Sequence, residues 1–132
     1  MLELLILALI MVESGGDTNA VGDNSLAVGV LQIHPIMVKD VNRILGEDKF
    51  TLDDRYDRAK SIAMCRIYLR HYGDNMTKEQ LARMWNGSPD GWRNDSQWFV
   101  RNRGLTLKQA QSKISNTKKY WKKVKAIVES AK

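Results

Sequence analysis

Cysteine is nearly absent from this chain of 132 residues; Cys65 is the only one. A single thiol cannot form an intrachain disulfide, so the fold must be held by its core, which a chain of this length can build. Cysteine usage leaves the redox compartment open. Cys65 lies in Ser61-Ile62-Ala63-Met64-Cys65-Arg66-Ile67, an apolar stripe of helical appearance, and reads as a small core residue rather than a reactive thiol. With one cysteine and two histidines far apart, the chain has no zinc-type ligand set. It has no Gly-Lys-Ser/Thr phosphate loop, which disfavours nucleotide chemistry. Asp17-x-Asn19-x-Val21-Gly22 begins like a calcium loop, but Val21 and Val28 stand where oxygen ligands are required. No metal and no cofactor are expected.

Long hydrophobic runs are also missing. The apolar stretch from Leu4 to Val12 is well short of the roughly 20 residues a membrane span needs. Nor does it read as an export signal. No Lys or Arg precedes it, the first being Lys39, and no small-x-small cleavage site follows. It leads instead into Glu13-Ser14-Gly15-Gly16 and is expected to be a buried helix. The chain opens without a capping residue, which leaves room for further N-terminal sequence in a longer natural form.

Hydrophobic residues make up 43% and charged residues 27%, which suits a globular chain and excludes a disordered one. The length fits one domain, taken as residues 1–132. The charge is unevenly distributed. Residues 1–57 hold four basic and ten acidic side chains, and residues 58–132 hold seventeen and five, so the balance moves from −6 to +12. A basic half of this kind suits attraction to a polyanion, or else a solvated lysine face.

Helical signals dominate. Leu2 to Ser14 reads as a helix stopped by Gly15-Gly16. Asp17 to Ala27 is rich in Asp, Asn, Gly and Ser and reads as a turn-filled loop with room for a small hairpin. Pro35 opens a helix in which Ile36, Val38, Val41, Ile44 and Leu45 recur at near-helical spacing before Gly46. Asp53 or Asp54 is expected to cap a helix to Tyr72, with Ala59, Ile62, Ala63, Cys65 or Arg66, and Leu69 inward. Thr77 and Gln80 have capping-box spacing. Gly87 to Gly104 reads as loop, Thr106 as the cap of a short helix, and Asn116 to Ala131 as a last helix with Trp121, Val124, Ile127 and Val128 inward. The expected fold is all-α, with at most a tiny hairpin.

Glu13 is the first candidate for chemistry. It ends an apolar helix before a flexible glycine pair, and a carboxyl beside apolar surface is harder to ionise. A carboxylic acid that keeps its proton near neutral pH is what glycoside cleavage uses. By position alone it reads as an exposed helix-end glutamate, since glutamates at helix ends are common.

The residues that follow favour the first reading. Glu13-Ser14 at a helix end, a Gly/Asn loop, then Gly29-Val30-Leu31-Gln32 resemble the active-site region of the lysozyme-like superfamily, in particular lytic transglycosylases and goose-type lysozymes. A second block of that family, an aromatic-Asn-small-Gly segment, is matched by Trp85-Asn86-Gly87-Ser88, with Trp in the usual Tyr place and Ser in the usual Gly place. A third, an aromatic near the C-terminus followed by a helix, is matched by Tyr120-Trp121-x-Lys123-Val124. The blocks come in family order across residues 5 to 125.

The resemblance implies a lysozyme-like helical domain with a substrate cleft. It implies peptidoglycan glycan strands as substrate, cut at the β-1,4 bond between N-acetylmuramic acid and N-acetylglucosamine. Glu13 would protonate the glycosidic oxygen. Gln32 would hold the sugar through its amide, and Asn86 would bond near Glu13 or to substrate. Trp85 and Tyr120 would offer flat faces to the sugar, and Ser14 and Gly29 would shape the cleft. For Trp85 and Trp121 the competing reading is core packing.

Asp23 decides the reaction type. Inverting hydrolysis needs a second carboxylate roughly 6.5–9.5 Å from the acid. Gly22-Asp23-Asn24 resembles the Gly-Asp segment of goose-type lysozymes, whereas the further Asp those proteins often carry is replaced here by His34-Pro35. Transglycosylases need no second carboxylate, because the muramic acid C6 hydroxyl attacks and leaves a 1,6-anhydro end. Asp23 is otherwise a turn residue bonding its own backbone. His34 reads as packing.

Two other functions compete. One is a non-catalytic wall-binding module on the same fold. The other is a basic nucleic-acid- or membrane-active protein driven by Lys118, Lys119, Lys122, Lys123 and Lys125. No nucleic-acid motif supports the latter, and the lysines are expected to keep a monomeric enzyme on an anionic cell wall.

Overall fold

The structure, a computed structural model, describes residues 2–131. Among them are six α-helices, one 3-10 helix and one two-stranded hairpin, so the fold is all-α as expected. No helix among the described residues is long and apolar enough to cross a membrane. The chain divides into two compact units, one closing at Tyr72 and the other opening at Gly73.

The first unit begins with α1, Leu2–Glu13, a run of Leu, Ile and Ala whose Leu5, Ile6, Ala8, Leu9 and Ile10 are buried. A helix apolar on nearly every side is a core helix. Leu7 and Met11 nevertheless stay exposed, on the stripe that starts at Glu3. Then come β1, Val21–Gly22, and β2, Ala27–Val28, paired antiparallel with Val21 opposite Val28 and Gly22 opposite Ala27. Asp23, Asn24 and Ser25 all have positive φ (48°, 56° and 73°), the left-handed backbone a tight hairpin loop needs.

Helix α2, Pro35–Leu45, starts on its proline and ends at Gly46, which is left-handed at φ 74°. Its core face is narrower than the apolar spacing implies. Val38 and Val41 are buried, while Ile36 is 74% exposed.

The helix expected from Asp53 or Asp54 starts later. Leu52–Tyr56 is a 3-10 helix opened by a Thr51–Asp54 capping box, and α3 runs Arg58–Tyr72. Asp57 is extended, and its Oδ1 accepts from the Lys60 N–H at 2.9 Å, so it serves as the cap. The inward face is accordingly Ser61, Met64, Cys65, Tyr68 and Leu69 rather than Ala59, Ile62 and Ala63. Arg66 on α3 grips Glu3 on α1 through two parallel bonds of 2.8 and 2.9 Å.

The second unit packs α4, Lys78–Gly87, and α5, Ser96–Arg103, against α6, Leu107–Ser130. Thr77 caps α4 in the expected box with Gln80. Two expectations fail here. The stretch read as loop contains α5, capped by Asp95 and ended by left-handed Gly104. The two C-terminal helices are one, because no breaker interrupts Thr106 to Ser130 and buried Ala110, Thr117, Tyr120, Val124 and Val128 keep one stripe. Its five clustered lysines face outward, and Trp121 is only half-buried. Near α5, the Arg93 guanidinium lies 3.7 Å from the Trp98 ring centroid, and Asp90 pairs with Arg93 (3.2 Å) and Arg103 (2.7 Å).

Candidate active site

Glu13 is the last residue of α1 and is half-buried. It lies within electrostatic reach of Cys65. Burial pushes the Cys65 thiol pKa well up and the Glu13 charge adds to this, so the thiol stays protonated and inert. Gly15 and Gly16 follow at φ 64° and 93°, left-handed backbone that ends the helix.

Ser14 docks this helix end. Its hydroxyl lies 2.8 Å from the Val30 carbonyl and 3.2 Å from that of Ile10, and it accepts from the Gly16 N–H at 3.1 Å. The Glu-Ser helix end is thereby fastened to the Gly29–Gln32 segment. That segment is a tight loop closed by a bridge between Val28 and Ile33, with the Gln32 N–H donating to the Gly29 carbonyl at 3.1 Å.

Gln32 is held from several sides. Its Nε2 donates to the carbonyls of Ala20 (3.1 Å) and Gly29 (3.0 Å), which uses both amide hydrogens. Its Oε1 faces Gly22, where an added Cβ would stand 2.6 Å away. The side chain therefore fastens the hairpin to the Gly29 loop, and Oε1 is its remaining polar group.

Asp23 is at the hairpin tip, 70% exposed, with Oδ2 3.0 Å from His34 Nε2. His34 thus ties the start of α2 to the hairpin rather than merely filling space.

Arg55 escaped the sequence reading. It is 8% exposed and donates through Nη1 to the carbonyls of Leu26 and Ile33 (both 3.0 Å) and through Nε to that of Leu52 (2.8 Å). It thereby joins the far strand of the hairpin, the end of the Gly29–Gln32 loop and the 3-10 helix. No local pattern marks an arginine two of whose partners are backbone carbonyls more than twenty residues away.

The remaining candidates belong to the second unit. Trp85 and Asn86 lie near the end of α4, and Tyr120 is on α6, the helix that α4 packs against. Asn86 is exposed, whereas Trp85 and Tyr120 expose only 6% and 8%, so little of either ring is open.

The family model of the Transglycosylase SLT domain matches residues 1–99, which takes in the Glu13-Ser14, Gly29–Gln32 and Trp85-Asn86 blocks. The chain belongs to this family. An SLT domain is a glycosidase-type module of lytic transglycosylase character, and its substrate is peptidoglycan. Residues 100–132, with all of α6, lie outside the match. No curated protein and no solved structure matches the chain.

Proposed function

We propose that this protein cleaves the β-1,4 bond between N-acetylmuramic acid and N-acetylglucosamine, with Glu13 as the acid and residues 1–132 acting as one catalytic domain. The observation that carries the reading is the 2.8 Å bond from Ser14 to the Val30 carbonyl. It docks the helix end bearing Glu13 on the Gly29–Gln32 loop, and both segments fall within the residues the SLT family shares.

In the proposed step, the Glu13 carboxyl gives its proton to the glycosidic oxygen as the bond from muramic acid C1 to that oxygen breaks. The Glu13 carboxylate then takes the proton of the muramic acid C6 hydroxyl as that oxygen closes on C1. No water is consumed, and the products are a 1,6-anhydromuramyl end and an N-acetylglucosamine with a free 4-hydroxyl. In the first unit, Gln32 accepts from a sugar hydroxyl or N-acetyl N–H through Oε1, and Ser14 and Gly29 shape the wall; in the second unit, Asn86, Trp85 and Tyr120 bind the glycan strand. The outward lysines of α6 hold the protein on the anionic wall.

The Asp23–His34 pair favours a second reading, in which Asp23 activates water and the reaction is hydrolysis. Mass spectrometry of fragments released from purified sacculi tests both. Anhydro ends are expected. Reducing muramyl ends would replace transfer by hydrolysis, and bound sacculi without fragments would make the protein a wall-binding module.

A further inference from the structure

A concave site in the second unit, of about 470 Å³, lies between the end of α4 and the middle of α6. Its side chains are Asn86, Gln109, Ser112, Lys113, Asn116 and Thr117. All are polar, one is a cation, and none is a carboxylate. Most come from α6, beyond the residues matched by the SLT family.

Several of these groups already have partners, which defines what remains. Thr117 Oγ1 accepts from Arg83 and donates to the Ile114 carbonyl, and its methyl packs against Gly87, where an added Cβ would stand 2.6 Å from it. Thr117 is therefore wall. Gln109 Oε1 accepts from the Thr106 N–H, which leaves its NH2 as donor. Lys113 Nζ donates one hydrogen to the Gly87 carbonyl at 2.8 Å, which holds the ammonium at the cavity and leaves it two more. Burial pushes the Lys113 pKa down, with Asp90 opposing, so its charge is incompletely hydrated and gains from an anionic partner. The surplus is of N–H donors around one positive charge. Such a lining suits an anion with several acceptor oxygens attached to an amide- and hydroxyl-bearing body.

We propose that this cavity binds a carboxylate carried by a muramyl unit of the peptidoglycan strand, with Lys113 as its cation and Gln109, Asn86 and Asn116 as its amide partners. The choice of a muramyl ligand rests on the peptidoglycan reading above. Peptidoglycan offers two such carboxylates, the lactyl group of a muramic acid without its peptide and the free carboxylates of the stem peptide.

The test titrates three probes into the Glu13→Gln protein while following the side-chain amide signals of Asn86, Gln109 and Asn116 by NMR. Muramyl dipeptide carries a stem carboxylate, N-acetylmuramic acid a lactyl one, and diacetylchitobiose none. At least one acid is expected to move these signals, and which one does so identifies the source. Chitobiose is expected to leave them in place. Lys113→Gln should weaken the acid at least about tenfold, as expected for losing a charge-assisted bond. Lys113→Arg should restore most of the affinity. Unmoved amides, equal shifts with chitobiose, or a Lys113→Gln protein that binds the acid undiminished would overturn the proposal. So would Gln and Arg variants that weaken together in step with their melting temperatures, which would make Lys113 only the cap of α4. Cleavage is read separately. A Glu13→Gln protein that still digests sacculi would overturn the acid reading and leave this one standing.

Discussion

The carbonyl oxygen of Arg55 occupies the space that a side chain on Gly29 would need; a Cβ built there falls 1.8 Å from it. Gly29 also has φ 84°, so this position excludes side chains both by space and by backbone conformation. Gly29→Ala is expected to cost at least about 2 kcal/mol, from backbone strain and forced displacement of the 3-10 helix. Gly46→Ala is the control. Its φ of 74° is similar but no atom lies within 4 Å, so only about 1 kcal/mol of conformational cost is expected. Chemical denaturation of the two variants measures the difference.

Removing the Arg55 side chain should loosen the same loops. Arg55→Met deletes the donors to the Leu26, Ile33 and Leu52 carbonyls in a largely buried place. Leaving such acceptors unmet is expected to cost about 2–4 kcal/mol and to lower cleavage as the Gly29–Gln32 loop drifts. Hydrogen exchange should show lost protection at the Val28–Ile33 bridge. Unaltered protection there would mean that Arg55 does not hold the loop.

The proposed roles of the two carboxylates are separable by mutation. Glu13→Gln is expected to lower glycan cleavage about 10²- to 10⁴-fold, the usual worth of a positioned general acid. Asp23→Asn is expected to keep cleavage within a fewfold, because transfer to the C6 hydroxyl does not use it. Fragment release from sacculi measures both, and a collapse of activity in Asp23→Asn would favour the hydrolytic reading.

Asp54 should give the fold an acid-sensitive component. The Thr51 backbone N–H and then Lys60 hold its carboxyl below the ordinary carboxylate range. A pKa depressed in the folded state contributes stability that is complete above the unfolded value and is lost as pH falls through the folded one. The melting temperature should therefore drop on acidification below about pH 4, and Asp54→Asn should flatten that part of the profile. The amount is expected to stay under about 1 kcal/mol, since Lys60 is an exposed partner.

Much of this was legible along the chain because it is local. Apolar α1 and its glycine stop, proline-started α2, the Thr77 capping box and the Thr106 cap each depend on residues within a turn of one another. Where structure and sequence part, the cause is physical. Asp57, not Asp53 or Asp54, caps α3, because the preceding residues form a 3-10 turn whose Arg55 points into the loops. The α5 helix was hidden among Gly, Asn and Ser, although Asp95 and Gly104 bracket it, since its stability draws on ring and guanidinium contacts around Trp98 and on packing against α6.

The sequence by itself determined the helical class, the SLT kinship and the glutamate at the end of an apolar helix, because hydrophobic period, caps and short family blocks are properties of neighbouring residues. Only the tertiary structure decided that Gln32 has both amide hydrogens bound to backbone, that Asp23 faces His34, and that Arg55 staples three segments. It also decided that Lys113 stands over a polar cavity. Each of these includes a hydrogen bond or close approach between residues eleven or more positions apart, and such partners meet only when burial of the core folds the backbone back on itself.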